Sequence, residues 1–200
     1  MNVACIVLGS GSNTRFSKHK SKIFYKIKGH SLIEFSLKSI VKFISKDCLY
    51  ITIPKKITKK EECILLKYTN NQLILGGNNR QQSLLNALKS IDTAKYKYLM
   101  IHDAARPNVS LTLIHKLIRT IKTNKYDAVV PALQITDTLK RNGISVDRNK
   151  YKATQTPQLF KIVDFIKYAL KSKSIVTDDV QLIESKKNKK IKYIDGNYEN

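Results

Sequence analysis

Two cations, Arg15 and Lys22, stand seven residues apart in the stretch LGSGSNTRFSKHKSK (8–22), directly behind the apolar run VACIV. Arginine offers a planar fork to phosphate oxygens, and lysine a movable point charge. The turn ahead of them, Gly9, Ser10 and Gly11, carries small residues whose backbone N–H groups can face an anion. Phosphate chemistry is what such a loop would do. Two common fingerprints are missing: Thr14 stands where GxGxxG needs its third glycine, and no GK[ST] occurs. Lys18 and Lys20 lie between the two cations, so charge alone does not single out the pair. On its own GSGS reads as a solvent-exposed turn.

The elements that must hold this loop alternate in type. VACIVL (3–8), LYITI (49–53), QLIL (72–75), YLMIHDA (98–104) and DAVVPAL (127–133) are strand candidates. Between them lie helix-period segments at 31–44, 57–67, 83–91 and 110–121. The first opens with Ser31 and Glu34 at capping-box spacing, and Ser110 is a cap for the last. This alternation predicts an α/β, Rossmann-like, doubly wound and mainly parallel sheet with helices on both faces. Ligands in such folds sit beyond the carboxyl ends of the strands. The loops there are 9–22, 76–82, 103–109 and 131–138. Read alone, HDAARP (102–107) is either a strand end and turn or part of a site. His102 is expected to help the strand end pack, since nothing pairs it with a nucleophile.

The rhythm breaks at TLKRNGISVDR (138–148), where Asn142-Gly143 signals a two-residue hairpin. A hairpin inserted into an α/β fold cannot bury both faces on its own sheet, so an arm at about 136–152 packing on a second subunit is expected. Helical stretches at 161–171 and 178–186 and a strand at 190–194 follow.

The chain has 37 Lys+Arg against 15 Asp+Glu, a formal charge of +22 over 200 residues. Such a surface attracts polyanions, nucleic acid among them. The lysines are dispersed and there is no Trp, so a dedicated nucleic-acid module is the distant alternative. With 42% hydrophobic residues one domain, 1–200, can form a core. No apolar run reaches the ~20 residues of a membrane span, so no membrane association is expected. Cys5, Cys48 and Cys63 have no zinc spacing and read as reduced thiols of a cytoplasmic protein, or of a plastid-like compartment if a targeting segment was removed.

Six ordered blocks carry a family resemblance. The opening loop resembles AAGxGxRxxxxxPK, with Arg15 and Lys22 at matching positions. GGNNRQQSLLNAL (76–88) resembles GGxxRxxSVxxGL, and IHDAARP (101–107) is nearly identical to the family's block. DTLK (137–140) matches DTxK, VDRNKYKATQTPQLF (146–160) matches xxRxxLxxxQTPQxF, and VTDDVQLIE (176–184) resembles xTDDAxxxE. The chain thereby resembles the 2-C-methyl-D-erythritol 4-phosphate cytidylyltransferases of non-mevalonate isoprenoid synthesis.

That resemblance implies transfer of a cytidylyl group from CTP to a sugar-alcohol phosphate, with Mg²⁺ required and pyrophosphate released. By the same resemblance Arg15 and Lys22 stabilise the α-phosphate. Gly9, Ser10 and Gly11 line the nucleotide, and Gly77, Asn78 and Ser83 meet the cytosine. Asp103 sits near ribose and Mg²⁺, with Ala104 against the ribose. Arg106, Thr156 and Thr177 grip the second substrate, while Thr138 and Arg148 reach in from the partner's arm of a homodimer. Lys140 reads equally as an exposed arm lysine.

The departures are Asn13 for a loop glycine, Ser21 for a proline and Ile23 for a glutamine. The chain stops at IDGNYEN, before the (I/V)K(V/I)T segment and final helix of the family, whose lysine helps bind the acceptor phosphate. Either the sequence is truncated relative to the family or the missing segment is supplied otherwise; some relatives carry a fused downstream cyclodiphosphate synthase domain, and a cut near that boundary is one of the readings. The rival within the same chemistry is a ribitol-5-phosphate cytidylyltransferase.

Overall fold

A computed structural model describes residues 2–10, 21–172 and 175–200. The chain runs β1 (Val3–Leu8), β2 (Lys26–Ile27), β3 (His30–Ser31), α1 (Leu32–Ile40), β4 (Leu49–Ile53), α2 (Lys59–Leu66) and β5 (Ile74–Leu75). It continues through α3 (Arg80–Lys89), β6 (Tyr98–Asp103), α4 (Leu111–Ile121), β7 (Ala128–Gln134), β8 (Leu139–Arg141) and β9 (Ile144–Val146). It ends with β10 (Lys152–Thr154), β11 (Gln158–Lys161), α5 (Ile162–Lys171), α6 (Gln181–Glu184) and β12 (Ile191–Asp195).

β1 lies parallel between β4 and β6, with β5 outside β4. β11 joins β6 to β7 antiparallel, and β10 continues along the same side of β7. β12 pairs parallel with β7 on its other side. The expected α/β, mainly parallel sheet is therefore present, with one antiparallel run threaded into it. ATQTPQLF supplies that run.

The apolar strands are buried on both sides, which is why they read as continuous runs and not as alternation. Val3, Cys5 and Val7 of β1 face α1 and α4, together with Ile33, Leu37, Ile114 and Leu117. Ala4, Ile6 and Leu8 face the opposite layer, with Leu84, Leu88, Phe160 and Phe165 from α3, β11 and α5. The chain reverses direction of winding between β1 and β6. Their adjacent carboxyl ends form the topological switch point where such sheets open a crevice.

Caps set the helix starts. Ser31 and Glu34 form the capping box on α1, and Ser110 accepts from Leu113 N–H on α4. α3 begins three residues earlier than its apolar pattern, because the Asn79 side chain accepts from Gln82 N–H at 2.8 Å. The third strand shrinks to two residues. Asn71 is drawn away to the carbonyls of Lys46, Asp47 and Leu49, so pairing with β4 starts only at Ile74. The helix expected at 178–186 is the single turn α6, because Asp178 and Asp179 are turned inward to other partners.

β8 and β9 form the hairpin, in register Leu139↔Val146 to Arg141↔Ile144. Asn142 at φ 52° and Gly143 at φ 81° both take left-handed backbone, as a type I′ turn requires. The hairpin stands off the sheet, and Ile144 at its tip is 72% exposed.

Candidate functional site

The site is built at the switch point. Gly9 follows β1, and its N–H donates to both the carbonyl and Oγ1 of Thr52 in β4, each at 3.1 Å. Ser10 Oγ lies 3.1 Å from the same Thr52 hydroxyl. Gly11 and Arg15 lie outside the described residues. Lys22 opens an exposed 3-10 turn (Lys22–Phe24) that anchors through buried Ile23.

The second wall is the turn from β5 into α3. Gly77 N–H donates to Ser83 Oγ at 3.0 Å, and that hydroxyl donates to Asn79 O at 2.8 Å. Asn78 is exposed, its N–H donating to Gln82 Oε1 at 3.3 Å. Ser83 is thus buried as the staple of this turn, and both backbone N–H groups of 77–78 are held by side chains of α3.

The third wall follows β6. Ala104 is buried, and its N–H donates to Leu8 O at 3.0 Å, tying the ends of β1 and β6 together. Asp103 Oδ1 accepts from Arg80 Nε at 3.0 Å and lies 2.9 Å from Arg80 Nη2, while its Oδ2 is 3.9 Å from Arg106 Nε. Arg106 Nη1 donates to Asn200 O at 3.1 Å. Asp103 N–H donates to Thr156 Oγ1 at 3.1 Å.

His102 and Thr156 are both buried behind this wall. His102 Nε2 lies 3.0 Å from Arg106 O, a group that can only accept, so Nε2 carries the proton. Nδ1 then accepts from Thr156 Oγ1 at 3.2 Å. Complete burial lowers the His102 pKa to about 4, which keeps the ring neutral. The expectation that His102 only packs understates it, since it links Thr156 to the Arg106 backbone.

The turn before α6 closes the far side. Asp178 accepts from Gln158 Nε2 and Thr154 Oγ1, both at 2.5 Å. Asp179, fully buried, takes Arg80 Nη1 and Nη2 at 2.5 and 2.7 Å. Burial pushes the Asp179 carboxyl above its ordinary value, against the opposing pull of Arg80. Thr177, beside them, is exposed and donates its N–H to Gln181 Oε1 at 3.1 Å.

The structure therefore groups Gly9, Ser10, Gly77, Asn78, Asp103, Arg106 and Thr177 with the buried Ser83, Ala104 and Thr156 on the segments that follow β1, β5 and β6 and the turn before α6. Thr138 and Arg148 stand apart on the exposed arm, where Arg148 donates to Thr136 O at the hairpin's own base. Sequence reasoning passed over Arg80 and Asp179. Each lies within a block already noted, GGNNR and TDD, but nothing local joins the two across 99 residues.

Among the described residues no group of three or more His, Cys, Asp or Glu could hold a metal. One carboxylate with a free oxygen suits Mg²⁺, which keeps waters and takes substrate phosphates as its other ligands. Asp103 fits, because Arg80 claims only Oδ1 and its side chain is 30% exposed. No helix among the described residues is long and apolar enough to cross a membrane.

Comparison with known proteins points the same way. The family model of IspD, 2-C-methyl-D-erythritol 4-phosphate cytidylyltransferase, matches residues 3–200. A bifunctional enzyme IspD/IspF of Pelagibacter ubique is 36% identical over 200 residues, covering 98% of this chain and 53% of that protein. A 2-C-methyl-D-erythritol 4-phosphate cytidylyltransferase of Caldanaerobacter subterraneus is 30% identical, covering 100% of this chain and 92% of the relative. The crystal structure of 4-diphosphocytidyl-2C-methyl-D-erythritol synthase from Anaerococcus prevotii superposes with a TM-score of 0.82 at 26% identity, covering 99% of this chain and 88% of that one. The chain spans about half the length of the bifunctional relatives it matches.

Proposed function

The chain belongs to the 2-C-methyl-D-erythritol 4-phosphate cytidylyltransferase family, and from that premise we propose that it joins CTP to 2-C-methyl-D-erythritol 4-phosphate and releases pyrophosphate. The observation that carries the reading is the meeting of the Gly9–Ser10 turn, the 76–83 turn and the Asp103–Arg106 segment at the carboxyl ends of β1 and β6. A nucleotide needs polar turns, a carboxylate and cations around one place, and the two turns with Asp103 and Arg106 support that reading.

The acceptor's phosphate oxygen attacks the α-phosphate in line, so the protein's task is positioning and charge stabilisation. Arg15 and Lys22 take up the charge that builds on the α-phosphate. Backbone of 9–11 and 77–78, with Ser83 shaping the turn, holds triphosphate and pyrimidine; Ala104 backs the ribose. Asp103 is the residue that would hold Mg²⁺, which supplies neutralising charge to the triphosphate when bound. Arg106, Thr156 and Thr177 grip the acceptor.

Two further parts of the reading concern assembly and compartment. A homodimer joined through the β8–β9 arm would carry Thr138 and Arg148 into the neighbouring site, which accounts for a hairpin whose tip finds no cover on its own sheet. The unpaired thiols of Cys5, Cys48 and Cys63 suit the reducing cytoplasm.

Turnover of CTP with methylerythritol phosphate, read as pyrophosphate release, tests the proposal, with ribitol 5-phosphate as the rival acceptor. Lys22→Ala should lower turnover at least ~100-fold, the cost of losing one preorganised charge. Faster turnover of ribitol phosphate, or an unaffected Lys22→Ala enzyme, would overturn the assignment.

A further inference from the structure

Arg80 lies at the first position of α3, and its guanidinium is engaged along two edges. One edge forks onto Asp179, at 2.5 and 2.7 Å. The other meets Asp103 Oδ1, with Nε at 3.0 Å and Nη2 at 2.9 Å. The two carboxylates differ in kind. The Asp179 side chain is 1% exposed, while that of Asp103 is 30% exposed at the crevice.

A buried carboxylate without a counter-charge is costly, so Asp179 holds Arg80 in one place. Arginine's rigid fork transmits that constraint to its other edge. Asp103 then has one oxygen committed and the other turned free, apart from the distant Arg106 Nε at 3.9 Å. A carboxylate free to rotate would present either oxygen and would fold back onto Arg106. The Arg80–Asp179 ion pair also spans 99 residues, tying the turn before α3 to the turn before α6, where Thr177 sits.

We propose that Arg80 is a positioning residue: anchored by Asp179, it fixes the Asp103 carboxylate so that Oδ2 alone faces the divalent cation and nucleotide. The proposal rests on the cytidylyltransferase reading for the identity of the nucleotide. Its test therefore includes a binding measurement that does not need turnover.

Arg80→Lys keeps a charge for Asp179 but cannot hold both carboxylates at once, so it loses the two-nitrogen contact with Asp103 Oδ1. Mn²⁺ binding in the presence of CTP, followed by electron paramagnetic resonance, should weaken at least 10-fold. The metal concentration giving half-maximal rate should rise by a similar factor, while KM for the acceptor and the melting temperature stay near wild type. The double variant Arg80→Met/Asp179→Leu removes both buried charges and leaves an apolar pair. It should fold, and show the same loss of Mn²⁺ binding, even if Arg80→Lys does not fold. Wild-type Mn²⁺ binding in either folded variant would make Arg80 a structural ion pair only and overturn the proposal. Wild-type protein that binds Mn²⁺ with CTP but turns over no acceptor would sink the cytidylyltransferase reading and leave this one standing on the binding result.

Discussion

His102 Nδ1 lies 3.2 Å from Thr156 Oγ1, and that hydroxyl in turn accepts the N–H of Asp103. Strand β6 thus bonds to its own end through a side chain of the neighbouring run. Asp103 N–H, the Thr156 hydroxyl, the His102 ring and the Arg106 carbonyl form one directed chain, in which each donor has a single acceptor. Three of the four residues belong to the proposed site, and the imidazole sets the direction of the whole chain.

Protonation of His102 would put a second N–H where the Thr156 hydroxyl now donates. The ring's pKa is about 4 in the folded protein against 6.5 for an ordinary histidine. A depressed value means that the unfolded chain takes up the proton first. The stability this neutral ring contributes is complete above about pH 6.5 and drains away as pH falls to about 4, by an amount on the order of 3 kcal/mol. Urea unfolding without nucleotide or divalent cation should show that slope. His102→Gln, which has both a donor and an acceptor, should flatten it, and equal slopes for both proteins would contradict the buried neutral ring.

Gly76 and Ser10 touch across the crevice. A Cβ at Gly76 would lie 2.0 Å from Ser10 Cβ and 3.1 Å from Ser83 Oγ. Gly76 N–H is also held by Ile53 O at 2.9 Å, so the backbone cannot simply retreat. Gly76→Ala should cost about 1–3 kcal/mol of stability and push the first loop outward. CTP affinity should fall more than acceptor affinity, and calorimetric titration with each compound would show whether that order holds.

The sequence made the sheet legible where burial and propensity agree. VACIVL and YLMIHD are buried on both sides, so their unbroken apolar runs could only be central strands. The arm was legible because Asn142-Gly143 permits almost nothing but a tight turn. The antiparallel run of β10 and β11 was not. Its residues Gln155, Thr156 and Gln158 are polar, yet buried, because tertiary partners satisfy them. The Arg80–Asp179 pair was hidden for a similar reason: 99 residues separate its members, and no local pattern marks a long-range ion pair.

Complementation tests the proposed arm exchange. In the proposed site Lys22 serves its own chain, whereas Arg148 would serve the neighbour. Lys22→Ala and Arg148→Ala homodimers should both be nearly inactive. Mixed after mild dissociation, they should regain activity approaching a quarter of wild type, because statistical mixing makes half the dimers hybrid and each hybrid holds one intact site. Activity that stays at the parental level would show that Arg148 serves its own subunit or none.

Ser21 stands directly before Lys22, where the resembled motif AAGxGxRxxxxxPK has proline. Its φ of −70° is already the value a pyrrolidine ring imposes, and its ψ of 126° is extended. Among the described residues its buried hydroxyl has no hydrogen-bond partner, a cost proline would not bear. Ser21→Pro should therefore raise stability by about 0.4–1 kcal/mol, chiefly by narrowing the unfolded ensemble. The same change stiffens the entry to the Lys22 turn, so turnover should hold or rise while KM for CTP falls. A drop in melting temperature would mean that the Ser21 N–H or the preceding residue makes contacts that the ring disrupts, and the backbone match would then be insufficient.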